Sequence, residues 1–214
     1  MIQKNKKQIK RILSIYEGFK IKTYIFVRLT LLDFYKIANV IPDSKKIIDA
    51  GCGYGVLSFI LSNRQNTKIQ GYDLDEKRIN YLNNLVKKKR INNLKFYEED
   101  VAKSKFKADT IVCVDLIHHL NPDEQKSFLN SINKMSKKGA IFVVKDMNKG
   151  RSKIKHYFNR LLDLISTGKS DWYYHDENSF RLLFKNHNFK IKSVKYINKW
   201  YVPLDHILFV LEKK

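Results

Sequence analysis

From Lys45 onward, short runs rich in β-branched and aromatic residues alternate with stretches whose apolar positions recur every three or four residues. Strands are predicted over residues 46–50, 68–72, 94–97, 109–114 and 140–144, with helices over 54–64, 76–90 and 122–135 between them. Ile79, Leu82, Leu85 and Val86 share one face of the second helix, and Phe128, Leu129 and Ile132 one face of the third. Each therefore has an apolar stripe to lay on a sheet. Alternation of this kind predicts an α/β fold with a mostly parallel sheet and helices on both faces. Right-handed crossovers bring the C-terminal ends of the strands to one rim, where open sheets bind ligands beside the point at which strand order reverses.

The two ends of the chain carry a different pattern. Ile12, Tyr16, Phe19, Ile25, Phe26, Leu29 and Phe34 give dense apolar cover beside lysine and arginine, which predicts a helical N-terminal cap over residues 1–44. After the fifth strand, Ile154, Tyr157, Phe158, Leu161, Leu162 and Ile165 alternate with Lys153, Lys155 and Arg160. Residues 147–188 are expected to form an insert or lid over the acceptor, and within it Asp176 or Asn178 caps a helix over 179–187. Strand-like runs at 190–196 and 206–211 follow. No repeat, low-complexity tract or Pro/Gly/Ser-rich linker interrupts the chain, so residues 1–214 are expected to form a single domain.

Composition adds a location and a charge. With 43% hydrophobic and 29% charged residues the chain has the balance of a soluble globular protein, and no run of about 20 apolar residues exists to span a bilayer. The basic stretch at the N-terminus has no small-residue cleavage site after it, so a cytoplasmic location is expected. Cys52 and Cys113 are expected to be reduced thiols. The net charge of +21 attracts polyanions such as RNA, anionic lipid headgroups or phosphorylated substrates. Lysine, isoleucine and asparagine are abundant along the whole chain, so a compositional bias is an equal explanation of that charge.

The chemistry gathers at three strand ends. Asp49-x-Gly51-x-Gly53-x-Gly55 follows the first strand and opens a helix, and its glycines remove the side chains that would keep a ligand from the backbone. A dinucleotide fingerprint would place glycine at position 56, where the chain has Val56. Asp49 puts a carboxylate ahead of the turn, suited to a cationic amino-acid moiety such as that of S-adenosylmethionine and unsuited to a pyrophosphate. Asp73 ends the second strand about 20 residues further on, placed to accept from both ribose hydroxyls, while Asp75 is expected to cap the next helix. Asp100-Val101 ends the third strand, placed to hold an adenine amino group and ring face.

Asp49 through Gly55, Asp73, Asp100-Val101 and Asp115-Leu116-Ile117-His118-His119-Leu120 together resemble the class I S-adenosylmethionine-dependent methyltransferase superfamily, over about residues 46–146. Within it the chain is most similar to small-molecule branches that include the ubiquinone/menaquinone-type enzymes. The resemblance implies a Rossmann-like seven-stranded sheet with an antiparallel last strand, S-adenosylmethionine as cofactor, and a cofactor site that also takes in Cys52, Leu74 and Asp115.

Methyl transfer from a sulfonium is an in-line displacement that needs a base only when the acceptor must lose a proton. His118 and His119, just past the fourth strand, and His175, in Trp172-Tyr173-Tyr174-His175-Asp176, are the candidate catalytic residues. The histidines and cysteines show no ligand spacing, so no metal is expected. The acceptor is expected to be a small molecule or a lipid-like one, and the amphipathic ends either to pack as cap and lid over the pocket or to make peripheral contact with the anionic inner face of a membrane. A nucleic-acid or protein acceptor, or a catalytically silent binding protein on the same fold, are the alternatives. Against the first stands Asp115-Leu116-Ile117-His118, where base N-methyltransferases of the superfamily carry an Asn/Asp-Pro-Pro-Tyr/Phe segment.

Overall fold

The computed structural model describes residues 2–149, 172–197 and 205–214. Three helices, α1 (Ile2–Leu13), α2 (Phe19–Leu31) and α3 (Phe34–Val40), precede β1 (Lys46–Ala50). Then follow α4 (Val56–Leu61), β2 (Lys68–Asp73), α5 (Glu76–Lys88), β3 (Leu94–Glu98), β4 (Ala108–Val114), α6 (Pro122–Met135) and β5 (Ser136–Met147). A helix α7 (Glu177–Asn186) and the strands β6 (Phe189–Tyr196) and β7 (His206–Lys213) complete the described elements. The seven strands lie in the order β3-β2-β1-β4-β5-β7-β6, with β7 antiparallel to both neighbours and the other pairings parallel. Strand order reverses at β1, between β2 and β4, which sets the ligand crevice at the C-terminal end of β1.

Alternation along each strand divides the core between the two faces of the sheet. Ile47 of β1 packs with Phe59, Leu82 and the N-terminal residues Ile12, Ile25 and Ile37, whereas Ile48 and Ala50 pack with Leu129, Phe180 and Phe184. Capping sets the helix starts: Asp75 accepts from the Arg78 amide, Asn121 and Glu124 form a capping box at α6, and Asp176 accepts from the Ser179 amide.

Two elements differ from the periodicity by three or more residues at an end. The helix expected over 54–64 is confined to Val56–Leu61, because Gly53 and Gly55 are left-handed and Asn63 folds back onto the Phe59 and Ile60 carbonyls. β5 begins at Ser136 instead of residue 140, where it pairs with Ala108 of β4, and runs on to Met147, because β7 pairs with it from Ile141 to Met147. The amphipathic stretch 154–165 of the expected lid lies outside the described residues. The end of 147–188 is α7, whose Phe180 and Phe184 are fully buried, so this part covers the sheet.

The N-terminal helices are hooked onto the sheet's upper edge. The Tyr16 hydroxyl donates to the Tyr54 carbonyl at 2.8 Å, and the Tyr81 hydroxyl donates to the Glu17 carbonyl at 2.9 Å while accepting from its amide. Lys88 pairs with Glu17 beside this hook. These bonds hold α2 above the glycine turn.

Candidate functional site

The β1–α4 turn is the floor of the site. Gly53 and Gly55 have φ of +54° and +67°, values that cost a residue with a Cβ about 1–2 kcal/mol. A Cβ on Gly55 would also come within 2.7 Å of the Phe96 ring, whereas one on Gly53 would meet nothing within 4 Å. The turn is thus tight on its core side and open at Gly53. Asp49, at 2% exposure, accepts from the Ser58 hydroxyl at 2.6 Å. Burial pushes its carboxyl up to about 6, against the Ser58 bond and with a contribution from Asp73. No ion pair to Asp49 occurs among the described residues. A cation brought beside it would restore the ionised form.

Asp73 accepts from the Gly53 amide at 2.8 Å on one oxygen and from the Asp75 amide at 3.1 Å on the other. A carboxylate has about four acceptor sites, so two remain after these bonds. Asp100 accepts from the Ala102 amide at 2.9 Å and caps a short 3-10 turn whose first residue is the buried Val101.

Two clefts meet over this turn. The larger, about 390 Å³, is bordered by Asp49, Cys52, Gly53, Tyr24, Arg28, Asp115 and His119. The smaller, about 330 Å³, is bordered by Leu74, Glu99, Asp100, Val101 and Phe128. Gly51, Asp73 and Leu116 line both, so one elongated ligand can pass from Asp49 through Asp73 to Asp100. Nine of the ten residues expected at the cofactor border these two clefts: Asp49, Cys52, Gly53 and Asp115 the larger, Leu74, Asp100 and Val101 the smaller, and Gly51 and Asp73 both; the tenth, Gly55, lines neither and forms the turn behind them. The Cys52 thiol is pushed well up by burial and by Asp49 and Asp73, so it is a packing group there.

The far end of the larger cleft is differently built. Asp115 sits at φ +55°, a left-handed conformation that Asp tolerates better than most residues. Its carboxylate pairs with the fully buried Lys145 of β5 and, at 3.1 Å, with Arg28 of α2. Burial opposes ionisation of Asp115, but Lys145 and Arg28 outweigh it and hold its carboxyl far below the usual range. Next to it, Asp146 accepts from the Ile117 amide at 2.9 Å and pairs with His118. Arg28, Lys145 and Asp146 were absent from the expected site; a lone arginine inside the apolar run 24–32 and two charges inside a β-rich run were the available signals.

The three expected bases separate here. His118 is fully buried against Asp146 and stacks on Tyr174, with ring centroids 5.4 Å apart. His175 bonds Gln125 at 2.8 Å and packs on Phe180, and burial pushes its pKa down. Both border neither cleft, and their surroundings are those of packed residues; His119 alone of the three lines the larger cleft.

Residues 41–199 match the model of a family described as a methyltransferase domain. The chain belongs to this methyltransferase family. A ribosomal protein L11 methyltransferase from Campylobacter lari is 29% identical over 133 residues, 60% of this chain and 45% of that protein, so the chain spans less than half the length of this curated relative. Among solved structures, magnesium protoporphyrin IX methyltransferase from Synechocystis with bound S-adenosylhomocysteine superposes with a TM-score of 0.67 at 17% identity, covering 97% of this chain and 93% of that one. Geranyl diphosphate C-methyltransferase from Streptomyces coelicolor gives 0.69 at 9% identity, covering 85% and 77%. The methyltransferase chain therefore has the fold of S-adenosylmethionine-dependent enzymes, and S-adenosylmethionine is the cofactor that goes with this family and fold. The residues fit it: Asp49 is a buried carboxylate with a raised pKa that calls for a cation, Asp73 retains acceptor sites, and the backbone at Gly53 is open.

Proposed function

We propose that this chain transfers a methyl group from S-adenosylmethionine to a small, lipid-like acceptor bound at the Arg28 end of the larger cleft. The observation that carries this reading is the order of carboxylates Asp49, Asp73 and Asp100 at three successive strand ends, along two clefts that join at Gly51, Asp73 and Leu116. When bound, S-adenosylmethionine supplies an electrophilic methyl on a sulfonium. Asp49, as the carboxylate, pairs with the amino-acid ammonium, Asp73 accepts from ribose hydroxyls, and Asp100 with Val101 and Leu74 holds the adenine. Tyr24, Ile25, Phe34 and Leu116 supply the apolar wall for the acceptor. Where methylation releases a proton, His119 takes it. The apolar wall and the substrates in the names of the two structural neighbours support a small-molecule acceptor. The name of the curated relative favours the second reading, a protein acceptor.

Calorimetric titration of the chain with S-adenosylhomocysteine and, in parallel, with NAD tests the cofactor half of the proposal. Binding of the first and none of the second is expected. Absence of S-adenosylhomocysteine binding would overturn it.

A further inference from the structure

Helix α2 has two apolar faces. One packs inward: Ile25 and Leu29 are buried, and Tyr24, Ile25 and Arg28 line the larger cleft. The other carries Phe19 and Phe26, seven residues apart and so on one side of the helix, with Val27 beside them. These three are 86%, 48% and 43% exposed. Seven large hydrophobic residues stand exposed among the described residues, and four of them, Phe19, Tyr24, Phe26 and Val27, belong to this one helix. Such clustering marks an interaction surface, where scattered single residues would not.

The polar groups of the stripe suit an apolar medium. Thr23 lies between the phenylalanines and Thr30 one turn beyond Phe26, and their hydroxyls donate to the Phe19 carbonyl at 3.0 Å and the Val27 carbonyl at 2.7 Å. Exposed Lys20 and Lys22 flank the stripe, and α1 adds exposed Lys6, Lys7, Lys10 and Arg11. Apolar residues bracketed by cations form an interfacial helix for an anionic bilayer. A second copy of the chain is a poor occupant, since each carries a net +21.

We propose that the outer face of α2 docks on an anionic lipid surface, with Phe19, Phe26 and Val27 entering the headgroup boundary and Lys20 and Lys22 pairing with lipid phosphates. The inner face of the same helix, with Tyr24 and Arg28, lines the cleft, so docking brings the cleft to within about one helix diameter of the membrane. This deepens the reading of a lipid-like acceptor and rests on it for the use made of the docking.

Co-sedimentation of the full chain with phosphatidylcholine vesicles containing roughly one third phosphatidylglycerol, and with pure phosphatidylcholine vesicles, tests it. Binding to the anionic vesicles that persists at about 0.15 M salt is expected. The Phe19→Ser/Phe26→Ser variant should partition roughly a hundredfold less, about tenfold for each ring, while binding S-adenosylhomocysteine within about twofold of the parent. Lys20→Glu/Lys22→Glu should weaken binding to anionic vesicles alone. Failure of the parent to sediment with anionic vesicles overturns the proposal. So does sedimentation that the serine variant leaves unchanged, which would be adsorption by net charge, or a dimer in solution that the serine variant dissociates. The S-adenosylhomocysteine titration is read separately, so loss of the methyl-transfer reading and loss of the docking surface are distinct results.

Discussion

At the Asp49 end of the larger cleft the polar contacts are short in sequence. Asp49 meets Ser58 nine positions away and Asp73 meets the Gly53 amide across 20. At the Asp115 end, Arg28 reaches across 87 positions, Lys145 across 30, and Asn148 bonds Asp205 across 57. The first end is a motif whose one buried carboxylate has a neutral partner among the described residues. The second is a set of buried charges that neutralise one another. Buried charges that are paired hold a fold together and are costly to separate, while a buried carboxylate without a cation is poised for one. The comparison therefore assigns stability chiefly to one end and cofactor affinity chiefly to the other.

The sharpest way to break that assignment is Lys145→Met. Among the described residues Asp115 would keep Arg28 as its ion-pair partner, and removal of one partner of a buried pair costs about 3–5 kcal/mol. Urea unfolding should report a loss of that size. A loss below about 1 kcal/mol would mean that the pair is hydrated and the contrast false.

Asp73→Ala probes the other end. If Asp73 takes the ribose hydroxyls as proposed, affinity for S-adenosylhomocysteine should fall by roughly 1.5–3 kcal/mol. Calorimetry that finds the affinity unchanged would take Asp73 out of the site.

The smallest effect is a pH dependence. Burial raises the Asp49 carboxyl to about 6, so the free folded chain holds a proton there that the unfolded chain has already released. Stability thus falls as pH rises from the ordinary carboxylate range through about 6. Binding of an ammonium needs the ionised form, so affinity should drop about tenfold per unit below pH 6 and level off above it. Asp49→Asn should flatten this profile. A profile with the same slope in the variant would assign the titration to another group.

The sheet and the grouping of the Asp49–Gly55 turn, Asp73 and Asp100 along the joined clefts were legible because their signals are local. Apolar periodicity marked β1 to β4 and α5 to α6, and the Asp49–Gly55 turn followed by Asp73 and Asp100 reads as a ligand track from spacing alone. The roles of the histidines were not legible. His118 and His119 are adjacent in sequence, yet one is buried against Asp146 and the other lines the cleft. Which of the two turns inward depends on β5, whose Asp146, 28 positions after His118, receives His118 and the Ile117 amide.

Residue order by itself determined the α/β alternation and the carboxylates at three strand ends, because each depends on neighbours within a strand–turn–helix unit. The tertiary structure alone decided that Arg28 and Lys145 meet on Asp115, that two histidines are packed away, and that α2 keeps an apolar face outward. These depend on which distant elements share a neighbour, and burial makes that choice through desolvation and charge pairing that no local spacing encodes.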